Sequence, residues 1–146
     1  MISTTPHLPR GASSVKAYAN VGLETEVLSA SPEHLISLLF RGARTAIAQA
    51  RLHMRDHRIA ERGAALSKAI DIVDSGLKAG IDIERGGEVA QHLIVAYDLI
   101  IRDLLQANLH NDEAKLNSAE KLLNDLADAW NIAIVPPVGN SPTLQT

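Results

Sequence analysis

The sequence contains no cysteine. A disulfide framework, an iron–sulfur centre and a thiol nucleophile are excluded together. Aromatic residues make up only 3% of the 146 residues, so the core must be aliphatic, and few rings are present to stack on nucleic-acid bases. No run approaches the ~18 consecutive apolar residues of a membrane helix, so stable membrane insertion is not expected. Met1–Gly11 lacks a basic region followed by an apolar run, so a secretory signal is not expected either. The net charge is only −3, which argues against nonspecific binding to nucleic acid or anionic lipid.

Hydrophobic residues at 46% and charged residues at 21% are close to the globular averages of about 45–50% and about 25%. The length suits one domain. Residues 1–30 read as a lead-in segment: Pro6, Pro9 and Gly11 lie among small polar residues, followed by a mildly apolar stretch around Tyr18. Residues 31–134 carry four helical patterns, and residues 135–146 read as a mobile tail after Pro136 and Pro137.

The first helix starts at Ser31-Pro32-Glu33, with a capping hydroxyl, a proline suited to the first helical position and an acid at the positive helix end. It is expected to run to about His57, with Leu35, Leu39, Ala43, Ala46, Ile47, Ala50 and Met54 on one face. The second is expected over Ile59–Ala79, on a seam of Ile59, Leu66, Ile70, Val73 and Leu77. Gly80 reads as its stop and Glu84-Arg85-Gly86-Gly87 as a turn. The third covers about Glu88–Asn108. Leu93, Tyr97, Ile100 and Leu104 form one stripe, and Ile94, Ile101 and Leu105 a second beside it. Asn111 or Asp112 caps the fourth, Glu113–Ala133, which carries Leu116, Ala119, Leu123, Leu126 and Trp130. Four helices joined by short turns, with no strand signal, predict an all-α, antiparallel four-helix bundle in which helix one lies beside helix four.

The chemistry that bundles commonly host is missing. Di-iron bundles need Glu-x-x-His pairs, and none is present. His53 and His57 share a helical face but have no third ligand, and Arg55 and Arg58 beside them repel a cation. A phosphorelay histidine followed by Lys and Gly is absent after His34 and His92 alike. Gly86-Gly87 lacks the surroundings of a phosphate loop, and Glu88 places a negative charge there. No serine elbow or tuned carboxylate pair is found. The chain is therefore not expected to be an enzyme, and no metal or other cofactor is expected.

Two surface features remain. Arg41, Arg44, Arg51, Arg55, Arg58 and Arg62 lie opposite the apolar face of helix one and its continuation. They read as a solvated stripe facing acids such as Glu120, Asp125 and Asp128 on helix four. There is also an apolar surplus: Leu38 and Leu52 fall off the core arc of helix one, and helix three is apolar over two stripes. Such a surplus suits a groove for an amphipathic segment, or self-association through the same surface.

The series Ala17-Tyr18, Ser31-Pro32-Glu33-His34-Leu35, Leu39-Phe40-Arg41-Gly42-Ala43, Gly86-Gly87-Glu88, Tyr97-Asp98, Ala107-Asn108-Leu109-His110-Asn111-Asp112 and Ala129-Trp130 resembles the FliS family of flagellar secretion chaperones over roughly residues 15–134. The family usually has Leu-Tyr-Asp-Gly-Ala at residues 39–43, so here Phe40 loses a hydroxyl and Arg41 reverses a charge. It also often has a second N-terminal tyrosine, which is not found here. The resemblance implies a non-enzymatic chaperone of the bacterial cytosol, mostly monomeric when alone. Its client would be the disordered C-terminal segment of flagellin, kept from polymerising and delivered to the flagellar export apparatus. It further implies that the lead-in covers part of the groove and moves when client binds, with Tyr18, Val21 and Leu23 as the movable cover. Leu38, Leu52, Ile94, Ile101 and Leu105 are the expected client-facing residues. The alternative is a self-associating helical adaptor without a flagellin client.

Overall fold

Helix α1, Pro32–Arg55, begins where the sequence signals it. Ser31 is extended, and its Oγ accepts the His34 amide at 3.2 Å while Pro32 opens the helix. The computed structural model describes residues 30–134. Expectations for the lead-in and for the tail beyond residue 134 fall outside that range.

At its far end α1 closes on a left-handed residue, His57, with φ 59°. The Arg58 amide donates to the His53 carbonyl and the His57 amide to the Met54 carbonyl. This is the two-bond closure usually built around glycine. Helix α2, Ile59–Asp71, follows.

The expected second helix does not continue in α form. Residues Ile72–Lys78 are a π-helix, in which the Ala79 amide donates to the Asp74 carbonyl, five residues back. Gly76 lies in this segment, and a Cβ there would stand 2.8 Å from Leu39 Cδ2. The wider turn and the bare glycine together let the segment approach α1 closely.

Helix α3, Ile83–His110, starts earlier than the sequence suggests. Asp82 caps it by accepting the Arg85 amide at 3.1 Å, so the expected turn at 84–87 is a first helical turn followed by a break. The break is Gly87, with φ 55° and ψ −129°, a conformation open essentially to glycine alone. Asn111, left-handed at φ 52°, ends α3. Asp112 then caps α4, Glu113–Ile134, by accepting the amides of Ala114 and Lys115.

The helices form an antiparallel four-helix bundle. Arg55 at the end of α1 meets Glu113 at the start of α4, and Ser37 near the start of α1 meets Trp130 near the end of α4. Helix α1 packs on α2 and α4, and α3 on α4, α2 and the π segment, so α1 and α3 sit diagonally. The core is aliphatic: Leu39, Ile47, Leu66, Ile72, Ile100, Leu104, Leu116 and Leu123 are all at most 1% exposed. Each contributes roughly 1.5–3 kcal/mol of burial.

Candidate functional site: an apolar groove at one end of the bundle

The two sides of α1 differ. Its seam with α4 is closed by polar contacts. Arg51 grips Glu120 with two bonds, at 2.7 and 3.3 Å, and also donates to Asn117 at 2.8 Å. Arg55 donates to Glu113 at 2.7 Å and Arg44 to Asn124 at 3.4 Å. Arg44, Arg51 and Arg55 of the stripe thus face α4, with Glu120 among their acids as expected, whereas Asp125 is bonded to Lys121. The Arg55 guanidinium holds the Glu113 carboxyl below the usual carboxylate range, first through their hydrogen bond and then through charge.

Arg62 departs from the stripe. It is buried, and its guanidinium donates to Asn108 Oδ1, Asn111 Oδ1 and the Asn108 carbonyl at 3.1, 2.6 and 2.9 Å. It satisfies the Asn108 carbonyl at the negative end of α3 and holds the left-handed Asn111 through its side chain. Its role is structural rather than that of a solvated surface cation.

At the opposite end an apolar groove of about 580 Å³ opens between the start of α1, the π segment, the start of α3 and the end of α4. Ile36 and Phe40 come from α1, Leu77 from the π segment, Val89, Leu93 and Tyr97 from α3, and Leu126 and Trp130 from α4. The charged lining residues, Asp82 and Arg85, are exposed at its rim. Trp130 is half-buried and donates through Nε1 to Ser37 Oγ at 3.3 Å. Tyr97 is 5% exposed. Burial pushes its hydroxyl pKa up to about 12, so the group is neutral across the physiological range. Phe40 is buried against this groove, so the aromatic side chain that lacks the family's usual hydroxyl lies within it.

Across the α2–α3 connection, Ile81 also borders a second hollow of about 440 Å³, lined by Asp74, Ser75, Lys78, Ala79, Ile83 and Ile94. The Lys78 ammonium bonds to Asp98 at 2.7 Å, an interaction that raises its pKa.

The expected site residues divide three ways. Leu38 is a correction: it is 1% exposed and belongs to the core, because α1 is covered on that flank by its neighbours in the bundle. Leu52 is exposed, as its position off the core arc implies, but it lies on the outer side of α1, diagonal to α3, and the structure does not bring it to the others. Ile94 and Ile101 are half-buried and Leu105 is 54% exposed, on a side of α3 where Asp98, bonded to Lys78, stands between Ile94 and Ile101, and Ile94 borders the second hollow rather than the groove. Tyr18, Val21 and Leu23 lie outside the described residues. Sequence reasoning missed the groove walls at Ile36, Leu77, Val89 and Leu126, since each reads as ordinary core or surface in its own helix. No helix among the described residues is long and apolar enough to cross a membrane.

A model of the family described as flagellar protein FliS matches residues 14–136. The chain belongs to the FliS family. It is 52% identical over 119 residues to the flagellar secretion chaperone FliS of Salmonella typhimurium, covering 82% of this chain and 88% of that protein. It is 40% identical over 126 residues to the flagellar secretion chaperone FliS of Escherichia coli, covering 86% and 93%. The protein of the same name from Bacillus subtilis is 28% identical over 111 residues, covering 76% and 81%. FliS is a chaperone family, not a family of enzymes, which accords with a site that is an apolar groove.

Proposed function

We propose that this FliS protein is a flagellar export chaperone that captures the disordered C-terminal segment of flagellin, keeps it from polymerising early and delivers it to the export apparatus from the bacterial cytosol. The observation that carries the reading is the open apolar groove walled by Ile36, Phe40, Leu77, Val89, Leu93, Leu126 and Trp130. A disordered client loses conformational entropy on binding, so it needs a long apolar contact to offset that loss. A preformed aliphatic bundle supplies the contact without reorganising itself. In the free protein the lead-in, through Tyr18, Val21 and Leu23, covers part of the groove and yields to client.

The test is retention of purified flagellin, intact and lacking its C-terminal segment. Intact flagellin is expected to be held at 1:1, and the shortened form to be lost. Equal retention of both overturns the reading. Light scattering of the free protein is expected to give a monomer; a stable oligomer favours the self-associating adaptor instead.

A further inference from the structure

We propose that the Tyr97 hydroxyl sets the specificity of the apolar groove, donating a hydrogen bond to an oxygen of the bound flagellin segment that the segment does not use in its own secondary structure. The inference rests on the reading that flagellin occupies the groove, and deepens it by naming what the groove requires of its occupant. Tyr97 lines the groove and is only 5% exposed, yet its hydroxyl has no hydrogen-bond partner among the described residues. A buried hydroxyl without a partner is costly, and such groups in folded proteins normally bond to something. The other polar side chains of the lining are committed or face solvent. Trp130 Nε1 donates to Ser37 Oγ at 3.3 Å, Asp82 accepts the Arg85 amide at 3.1 Å, and the Arg85 side chain is 91% exposed. With its pKa pushed up to about 12 by burial, the phenol keeps its proton, so it offers a donor among walls that are otherwise aliphatic and aromatic.

The missing acceptor selects the kind of occupant. Carbonyls inside a helix are already taken by amides of the next turn, so a partner that docks the flank of a finished helix brings no free main-chain oxygen. A second copy of this chain is of that kind, since its described residues are helical over nearly their whole length. A disordered segment arrives with its carbonyls still bonded to water, and can set one against Tyr97 at an extended stretch or in the last turn of a helix it forms there. An Asn, Gln, Ser or Thr side-chain oxygen meets the same need. A purely aliphatic helix flank fills the groove but leaves the hydroxyl unpaired, and is discriminated against for that reason. The groove thus reads one polar position within an otherwise apolar contact.

The experiment is calorimetric titration of the full chain, unmodified and Tyr97→Phe, with monomeric flagellin, intact and lacking its C-terminal segment, together with thermal unfolding of each chaperone alone. Phenylalanine keeps the ring and removes only the oxygen. Tyr97→Phe is expected to weaken binding of intact flagellin about five- to tenfold, the value of one hydrogen bond, at unchanged 1:1 stoichiometry. The Tm of the free variant is expected to equal or exceed that of the unmodified protein, because no bond is lost before client arrives. Equal affinities overturn the role of the hydroxyl and leave the capture of flagellin standing. A lowered Tm of the free variant also overturns it, because the hydroxyl is then bonded within the chaperone itself. Equal binding of intact and shortened flagellin by the unmodified protein overturns the capture reading, and the role of the hydroxyl with it.

Discussion

His57 occupies a backbone position that favours glycine. At φ 59° its Cβ is crowded against the following carbonyl, and the same closing bonds form without that strain if the side chain is removed. Its imidazole is exposed. His57→Gly is therefore expected to stabilise the protein by about 1 kcal/mol, read as a rise of a few degrees in Tm; an unchanged or lowered Tm refutes the argument. The apolar pattern predicts that α1 runs to about His57, two residues beyond its end at Arg55, but carries no sign of the left-handed turn, which glycine would have signalled. Asn111 read only as an alternative to Asp112 for capping α4; Asp112 is the cap, and Asn111 instead takes the left-handed turn that ends α3, a conformation asparagine tolerates. Arg62 was not legible as a buried residue: six arginines at helical spacing look alike until their partners are known. Tyr97 carries a second residue-scale prediction. Its folded pKa of about 12 lies above the ordinary tyrosine value of about 10. As pH rises past 10 the unfolded chain releases a proton that the folded chain retains, so stability falls, by about 2–3 kcal/mol at most. In a Tyr18→Phe background Tyr97 is the one remaining tyrosine of the two. Its ultraviolet titration is expected to be centred near 12 while the fold persists; a midpoint near 10 contradicts its burial.

Two glycines of the second helical segment test how its form changes along its length. Gly63 lies in the α-helical part, where an added Cβ meets only the Asn108 side chain, at 3.9 Å. Gly76 lies in the π part, where the same Cβ stands 2.8 and 3.1 Å from the two methyl carbons of Leu39. Leu39 is 1% exposed within the core cluster, where interiors are close-packed. Gly63→Ala is expected to stabilise by about 0.5–1 kcal/mol through helix propensity, and Gly76→Ala to destabilise by about 1–3 kcal/mol through overpacking. Denaturant midpoints measure both, and equal shifts of the same sign contradict the close approach. The existence and order of these elements followed from apolar spacing and caps. The π register did not, because Leu66, Ile70, Val73 and Leu77 are spaced as an α-helical seam would space them. The segment packs on α1 with Gly76 against Leu39, a tertiary contact with no local signature. The groove was hidden for a related reason. Its walls come from four segments, so Leu77, Leu93, Tyr97, Leu126 and Trp130 appeared in the sequence only as members of separate helical stripes, and Phe40 only as a departure from a motif.

Across the whole molecule the polar and apolar contacts are segregated. The α1–α4 seam is held on the surface by Arg44, Arg51 and Arg55, and the apolar opening lies at the end where α1 starts and α4 finishes. This division keeps the bundle's closure separate from its binding surface, so conditions that weaken one need not weaken the other. Glu113 tests it. Its folded pKa is depressed by Arg55, so the stability it contributes is fully present above the ordinary carboxylate pKa and is lost as pH falls through the lower folded value. Glu113→Gln is therefore expected to lower Tm at pH 7, with the gap to the unmodified protein narrowing as pH is lowered through that range. Both side chains are substantially exposed, so salt screens the pair and about 0.5 M NaCl is expected to narrow the gap at pH 7 as well. Trp130, the one tryptophan, lines the groove at the far end of α4 from Glu113. Its emission is expected to be the same in both proteins below the unfolding transition. A gap independent of pH contradicts the ion pair, and a shifted Trp130 emission in folded Glu113→Gln contradicts the separation of seam from groove.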